Sequence, residues 1–220
     1  MASARVLEIG WASAGNLIPF AATHPGAHTV GIDLSPTHIR QGRQRVRALG
    51  LRNVRLVEGD VAQLDVTRLG TFDFVICHGV YSWVPAHVQE AILATCRETL
   101  ATNGVAYVSY NVYPGWKAKE IIRDAMLLGV GDATGPAQRV DRARDVEDFL
   151  QKVATRDSVL GHALADHSAL ASRTGDYYLL HEELEAFNAP CYFREFVGRA
   201  RGYGLEYLAD AQPEYMFADN

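Results

Sequence analysis

The chain has 220 residues, of which 48% are hydrophobic and 21% are charged, and its formal net charge is −5. This composition predicts a folded protein with a sizeable core, and the acidic balance disfavours binding to nucleic-acid phosphates. No apolar run approaches the roughly 20 residues that span a bilayer, and three scattered cysteines fit neither a metal site nor a disulfide framework. We therefore predict a cytoplasmic protein without a membrane, nucleic-acid or metal partner.

The N-terminal half alternates short apolar strands with helices. Strands are predicted over 5–9, 28–32, 53–58, 72–77 and 105–110, and helices over 16–22, 35–50 and 88–100. Ser35 is a suitable N-cap, and Pro36 occupies the first helical position. Near-continuous apolar strands separated by helices predict an α/β fold with a Rossmann-like, doubly wound and mainly parallel sheet.

The pattern changes after Tyr110, where residues 117–173 predict three successive helices. A helix over 193–200, a sixth strand over 205–208 and a partial antiparallel seventh strand near 215–217 follow. We therefore predict a core of residues 1–114 and 191–220 with a helical insertion, 115–190, after the fifth strand. Because this insertion is far longer than an ordinary connection, we expect it to act as a lid that shapes a substrate site.

The segment after the first strand predicts a ligand site. Residues 10–16, Gly-Trp-Ala-Ser-Ala-Gly-Asn, lead into a helix through small side chains, so that the backbone can approach a ligand closely. Gly10, Ala12 and Gly15 also fit the dinucleotide fingerprint with one alanine substitution. A nicotinamide-dependent oxidoreductase is therefore a rival interpretation at this point.

Acidic residues at the ends of three successive strands distinguish between two possible ligands, a nicotinamide dinucleotide and S-adenosylmethionine. Asp33, 23 positions after Gly10, can accept hydrogen bonds from the ribose of either cofactor. Glu8 is a poor neighbour for a pyrophosphate, but it suits S-adenosylmethionine, which carries an ammonium and a sulfonium. Asp60 can accept from an adenine amino group while the Val61 N–H donates to the ring. Jointly these positions favour a methyltransferase, although Asp60 alone also fits a helix N-cap and Glu8 an exposed strand end.

The same stretches resemble class I methyltransferases in segments 8–15, 31–34 and 59–61. Residues 77–85 (CHGVYSWVP) and 109–116 (SYNVYPGW), with 192–196 and 204–208, resemble bacterial methyltransferases that carry a methyltransferase regulatory domain. That group includes protein-lysine methyltransferases, so the resemblance implies S-adenosyl-L-methionine as cofactor and points to protein lysine as methyl acceptor. It implies a cofactor-binding set of Glu8, Gly10, Ala12, Gly15, Asn16, Asp33, Leu34, Asp60, Val61 and His78, in which His78 fits a structural role equally well.

Aromatic residues cluster at the ends of the fourth and fifth strands. Such rings can stabilise a sulfonium or steer a lysine amine by cation–π contact. We assign Tyr81, Tyr110 and Tyr113 to the substrate pocket and leave Trp83 and Trp116 to packing. The competing interpretation is that most of these rings pack the helical insertion onto the sheet.

Two departures from the family pattern leave alternatives open. Trp11 stands where a small residue or Cys is usual, and Ala14 where Gly is usual; we expect Trp11 to pack into the protein.

No residue in the sequence can be recognised as a general base, so catalytic residues are not assigned. A degenerate, non-catalytic cofactor-binding or interaction domain and a small-molecule methyltransferase remain as alternatives, whereas Glu8 disfavours the oxidoreductase.

Overall fold

A computed structural model describes residues 3–12 and 15–216, and the chain forms two compact units. The first unit comprises residues 1–110 and 193–220, and the second comprises residues 111–192. Within the described ranges, no helix is both long enough and apolar enough to cross a bilayer.

A five-stranded parallel sheet organises the first unit, with strand order β3-β2-β1-β4-β5. The predicted doubly wound fold is confirmed, because the order reverses between β1 and β4 and places a switch point at the carboxyl end of β1. The strands are β1 (Arg5–Ile9), β2 (His28–Asp33), β3 (Val54–Glu58), β4 (Phe72–Cys77) and β5 (Leu100–Val108).

Helices cover both faces of this sheet, as the continuous apolar strands predict. On one face α1 (Leu17–Thr23) and α2 (Pro36–Ala48) pack with the side chains of Val6 and Leu56. On the other face α3 (Ala86–Thr99) and α7 (Phe193–Gly202) enclose a larger core. The predicted cap of α2 is confirmed, since the Ser35 hydroxyl accepts from the His38 N–H at 3.3 Å and Pro36 follows.

The fifth strand begins earlier than predicted. The sequence predicts a helix that ends at Leu100 and a strand that begins at Val105, with the turn-favouring pair Asn103-Gly104 between them, but α3 passes directly into β5 at Leu100. The Asn-Gly pair instead lies where the register shifts, since Phe72 is opposite Leu100 and Phe74 is opposite Val105. Asn103-Gly104 therefore does interrupt regular structure, but it does so within β5 and not at the end of a helix.

The predicted sixth and seventh strands are wrong over the described residues. Gly204, at φ +74°, ends α7 with hydrogen bonds from its N–H to the Arg201 carbonyl and from the Leu205 N–H to the Ala200 carbonyl. This Schellman-type ending anchors Leu205 on the core, and the chain continues without strand pairing. Residues 213–216 form a 3-10 turn, and position 217 lies outside the described residues.

The second unit contains the three predicted helices, α4 (Lys117–Val130), α5 (Pro136–Val153) and α6 (Val159–Tyr178), followed by a π-helical turn (Leu179–Glu183). Its core includes Ile122, Met126 and Leu164. Two-residue strands that the sequence did not predict, β6 (Val112–Tyr113) and β7 (Cys191–Tyr192), pair in parallel and bring the ends of the unit together.

Candidate functional site

The backbone after β1 turns sharply at Gly10 and Ala12. Gly10 has φ +68°, and a Cβ there would lie 2.5 Å from Cγ2 of Val80, so both conformation and space require glycine. Ala12 has φ +42°, a left-handed conformation that costs energy for a residue with a side chain. Its N–H donates to Oδ2 of Asp33 at 2.9 Å. The loop is therefore tied to the end of the neighbouring strand.

Glu8 is the most unusual charged group of the first unit. Its side chain is buried, Oε1 accepts from Nδ2 of Asn16 at 3.0 Å, and Oε2 is buried without a hydrogen-bond partner among the described residues. Burial raises the pKa of this carboxyl, against smaller opposing effects of the hydrogen bond from Asn16 and of the neighbouring Leu17 backbone. A buried carboxylate oxygen with spare capacity is the acceptor that a cationic ligand needs.

Asp33 lies at the end of β2, as predicted, and organises the surrounding backbone. Besides Ala12, its Oδ1 accepts from the Ser35 N–H at 2.8 Å and contacts Nδ1 of His38 at 3.2 Å. Each carboxylate oxygen can accept more than one hydrogen bond, so these contacts leave capacity for ribose hydroxyls. The ribose role stays a prediction.

His38 was missed by the sequence analysis. It lies in the first turn of α2, and the N-cap at Ser35 sets the helix so that this turn faces the end of β2. The sequence did contain a signal for it: His38 comes three residues after the helix cap Ser35, which itself follows the acid at the end of the strand, Asp33. It orients Asp33 and belongs with the candidate site.

Asp60 and Leu34 flank the same edge of the sheet with different properties. Asp60 Oδ1 accepts from the Ala62 N–H at 2.9 Å and Oδ2 accepts from Nε2 of Gln63 at 3.2 Å, so Asp60 stabilises a turn, and the helix N-cap interpretation is wrong because no described helix begins there. Val61 packs partly against the core. Leu34, which follows Asp33 at the end of β2, is 69% exposed, so its apolar side chain is open to solvent. Adenine contacts by these three residues stay predictions.

His78 follows β4 at the surface. Its Nδ1 lies 3.1 Å from the Tyr107 hydroxyl, and the two rings stack with centroids 5.7 Å apart. The structural role that the sequence left open is therefore present, and a cofactor role stays a prediction. His78, Gly15 and Asn16 also line one end of a cavity of about 600 Å³, a volume typical of small-molecule sites.

The rest of this cavity is apolar and lies on the face of β4 and β5, with Phe74, Ile76, Val105 and Tyr107 in its wall. Asp33 and Asp60 do not line it. The strand order explains this separation, because β2 and β3 lie on the opposite side of β1 from β4 and β5. A ligand that contacts all the predicted positions must therefore extend across the carboxyl end of β1.

The assignment of Tyr81 to a pocket wall is corrected. Its side chain is fully buried in the core, with its ring edge-on to Phe196 at 5.2 Å and to Tyr110 at 6.4 Å. Tyr110 stacks on Phe196 at 4.1 Å. These rings hold α7 against the sheet, because a helix that packs on a sheet needs large side chains to fill the space between them. Tyr113 lies in the second unit, half-buried, where its hydroxyl donates to Oε1 of Glu120.

Trp11 packs into the protein, as predicted. Its side chain is buried among apolar residues of α1, α2 and the sheet. Two glycines make room for the indole, since a Cβ on Gly42 would lie 1.9 Å from Cη2 and one on Gly31 would lie 3.1 Å from Cδ1. The bulk of Trp11 is therefore accommodated beneath the loop by residues whose role the sequence analysis missed.

Two family models match the chain. A methyltransferase domain matches residues 6–104, and a predicted methyltransferase regulatory domain matches residues 175–220. These ranges contain the candidate site and the C-terminal part of the chain.

Relatives match over nearly the whole chain. An uncharacterised protein of Rickettsia prowazekii is 39% identical over 99% of this chain and 39% of its own length, and another from the same organism is 33% identical over 90% and 80%. The solved structure of PKMT2 from Rickettsia typhi in complex with AdoHcy is 35% identical, covers 100% of this chain and 42% of its own, and superposes with a TM-score of 0.86. The chain thus spans about two fifths of the first of these relatives and of PKMT2.

Proposed function

We propose that this chain, which belongs to the class I S-adenosylmethionine-dependent methyltransferases, transfers a methyl group from that cofactor to the side-chain amine of a protein lysine. The observation that carries the proposal is the buried Oε2 of Glu8, which has no hydrogen-bond partner among the described residues and lies at the switch point of the sheet. An ammonium bound there would supply the missing partner.

The chemistry of the site fits S-adenosylmethionine better than a nicotinamide dinucleotide. When bound, S-adenosylmethionine supplies a methyl group already activated by a positive sulfur. Glu8 would hold the cationic methionine end, Asp33 the ribose, and Leu34 with Asp60 the adenine. A pyrophosphate close to a buried carboxylate would instead meet like-charge repulsion.

For transfer, the chain's own residues have to bind, orient and exclude water. The new bond joins the lysine nitrogen to the methyl carbon, the sulfur–carbon bond breaks with its electron pair left on sulfur, and the amine proton passes to solvent. Because the leaving group is activated, holding nitrogen and methyl in line supplies most of the catalysis. None of the titratable groups described at the site stands out as a general base.

The acceptor rests on the resemblance of residues 77–85 and 109–116 to a group that includes protein-lysine methyltransferases, and PKMT2 is 35% identical over this whole chain. Since the chain spans about two fifths of that protein, activity and acceptor are part of the proposal. We also expect the protein to work in the cytoplasm, where its three buried cysteines would stay reduced.

The proposal is tested first by binding. Calorimetric titration of the full chain with S-adenosylmethionine and, separately, with NAD should give saturable binding of S-adenosylmethionine alone. Binding of NAD alone would overturn the methyltransferase proposal.

The acceptor is tested by transfer of a labelled methyl group. The chain is incubated with methyl-labelled S-adenosylmethionine and a bacterial lysate, and labelled proteins are hydrolysed to amino acids. Label in methylated lysine supports the proposal, and label confined to small molecules indicates a small-molecule methyltransferase. Tight cofactor binding without transfer would indicate a non-catalytic cofactor-binding domain.

We further propose that the helical segment 115–190 acts on the acceptor side of the reaction. Replacing it with a short linker should leave S-adenosylmethionine binding largely intact and abolish transfer. Loss of cofactor binding in a shortened protein whose sheet still unfolds cooperatively would contradict this role.

A further inference from the structure

Three side chains, one in β6 and two in the first turn of α4, form an arrangement that the functional proposal does not use. Nζ of Lys117 lies 2.8 Å from Oε2 of Glu120 and 4.1 Å from the centre of the Tyr113 ring. The Tyr113 hydroxyl donates to the other oxygen, Oε1, of Glu120. An ammonium group is therefore held between a carboxylate and the face of an aromatic ring.

The two groups that hold the ammonium are fixed by the fold. Tyr113 belongs to β6, which pairs with β7, and its ring lies 5.5 Å from that of Tyr192. The hydrogen bond to Glu120 sets the position of the carboxylate relative to the ring. Contacts with Lys117 and Tyr113 lower the pKa of Glu120 despite the opposing effect of burial. Glu120 is thus ionised at neutral pH, which suits an ion-pairing role and not proton abstraction.

The ammonium itself is held loosely. The Lys117 side chain is 60% exposed, compared with 21% for that of Glu120. A lysine has a flexible stem, and an exposed ion pair three residues apart on a helix contributes little to stability. Lys117 can leave while Tyr113 and Glu120 stay in place.

We propose that Tyr113 and Glu120 form an alkylammonium subsite for a lysine side chain of an acceptor protein, and that Lys117 occupies this subsite until the acceptor displaces it. The inference rests on the proposed function for the identity of the acceptor, but the subsite itself is a property of these three residues. A carboxylate combined with an aromatic face recognises lysine and its methylated forms, because cation–π attraction does not require N–H donors.

The test measures binding of small probes to the full chain without cofactor. The probes are N-acetyl-lysine methylamide, its Nε-trimethyl form and, as a neutral isostere, N-acetyl-norleucine methylamide, titrated by NMR. Removal of the competing ammonium in Lys117→Ala should tighten binding of both cationic probes by about threefold to tenfold. The norleucine probe should show no change.

Lys119→Ala is the matched control, since Lys119 also places its Nζ over an aromatic ring, that of Trp116 at 4.5 Å. It removes the same charge two positions away and should leave probe binding unchanged. Adding Glu120→Gln to Lys117→Ala should reverse the gain. Lys117→Gln, which keeps a polar side chain, provides a second variant should Lys117→Ala unfold.

Equal probe binding in wild type, Lys117→Ala and Lys117→Gln would overturn the subsite and leave an ordinary surface ion pair. An equal gain in Lys119→Ala would also overturn it, by showing a general charge effect. These titrations need no methyl transfer. If Lys117→Ala binds the cationic probes more tightly but the chain transfers no methyl group, only the proposed function is contradicted. If the chain transfers methyl groups but Lys117→Ala binds the probes no more tightly than wild type, only the subsite is contradicted.

Discussion

The two units of the molecule bury charged groups in different ways. In the sheet unit, Glu8 is buried with one carboxylate oxygen that has no hydrogen-bond partner among the described residues. In the helical unit, buried His167 lies between two carboxylates, with Nδ1 3.2 Å from Glu147 and Nε2 3.7 Å from buried Glu183, and Arg123 donates to the Glu185 carbonyl. Nε2 of His167 and Nε of Arg123 form no hydrogen bond among the described residues, but both side chains have the Glu183 carboxylate nearby. A buried charge with an opposite charge beside it is a structural group, whereas a buried carboxylate whose side-chain partner is a neutral amide indicates a ligand.

This comparison makes a general prediction about substitutions. Changes in the helical unit should lower stability without altering cofactor affinity, and changes at the strand ends of the sheet unit should lower affinity without lowering stability. Trp11 of the sheet unit is expected to violate this division.

Trp11 follows the first glycine of the cofactor loop, yet its contacts are structural. Trp11→Ala removes a buried indole and should lower the free energy of unfolding by about 4 kcal/mol, measured by urea titration with circular dichroism. S-adenosylmethionine affinity should be no better than wild type. Phe149→Ala, at an aromatic residue that is 60% exposed, is the control and should change stability little. A clear gain in affinity for Trp11→Ala would show that the indole crowds the cofactor.

Gly42 provides a sharper form of this test. In the wild type, Gly42→Ala places a methyl group against the Trp11 ring and should destabilise the protein. In the Trp11→Ala background the same change should cost much less, because the indole is gone, alanine is the better helix former and only the end of the Leu56 side chain, 2.8 Å from the added Cβ, still has to move. An equal loss of stability in both backgrounds would disprove the proposed packing.

Arg123 tests the helical unit. Arg123→Leu leaves the Glu185 carbonyl without this donor and removes a buried positive charge from the neighbourhood of Glu183. Stability should fall by about 3 kcal/mol, the usual consequence of breaking a buried charged contact. Cofactor affinity, measured at a temperature where both proteins are folded, should not change.

Arg144→Leu is the matched control for this variant. Arg144 pairs with Asp176, and both side chains are more than half exposed. Its loss should therefore cost less than about 1 kcal/mol. Equal losses in the two variants would mean that burial does not distinguish these arginines.

The sequence predicted the sheet unit better than the helical unit for a physical reason. Burial of a parallel sheet on both faces makes each strand a continuous apolar run, and polar residues mark the strand ends, so Glu8, Asp33 and Asp60 could be located directly. The helical pattern of residues 117–173 located the three helices but not their buried faces, since Val140 is buried while Phe149 and Val153, farther along α5, are exposed. The contacts among Arg123, Glu183 and His167 join distant positions and left no local pattern.

Long-range contacts also explain the errors within the sheet unit. Tyr81 carries the same local signal whether it lines a pocket or fills a core, and its burial depends on Phe196, more than 100 positions away. The segment 205–208, Leu-Glu-Tyr-Leu, resembles a short strand, but strand formation requires a partner. The turn at Gly204 directs that run elsewhere.

Glu8 tests the ligand side of the comparison. Glu8→Gln retains the shape and the acceptor for Asn16 but removes the charge, so affinity for S-adenosylmethionine should fall by about 2 kcal/mol. The melting temperature of the ligand-free protein should rise at pH 7, because burial raises the pKa of this carboxyl and its ionised form is disfavoured in the folded state. Glu58→Gln, at the exposed end of β3, should change neither property.

The pH dependence of this stability difference follows from the sign of the shift. Below the pKa of the unfolded chain, near 4, Glu8 is protonated in both states and wild type and Glu8→Gln should melt alike. As pH rises through the higher pKa of the folded state, wild type loses stability relative to the variant. A lower melting temperature for Glu8→Gln at pH 7 would show that the carboxylate is already stabilised within the protein.

Leu34 gives the smallest expected effect and the cleanest separation of affinity from stability. Its side chain is 69% exposed beside Asp33, so truncation removes little buried surface in the ligand-free protein. If it packs on the adenine, Leu34→Ala should weaken S-adenosylmethionine binding by about 1 kcal/mol with an unchanged melting temperature. Leu49→Ala, at a leucine that is 59% exposed at the end of α2, is the matched control and should alter neither quantity. Unchanged affinity for Leu34→Ala would remove this residue from the cofactor site without affecting the assignments of Glu8 and Asp33.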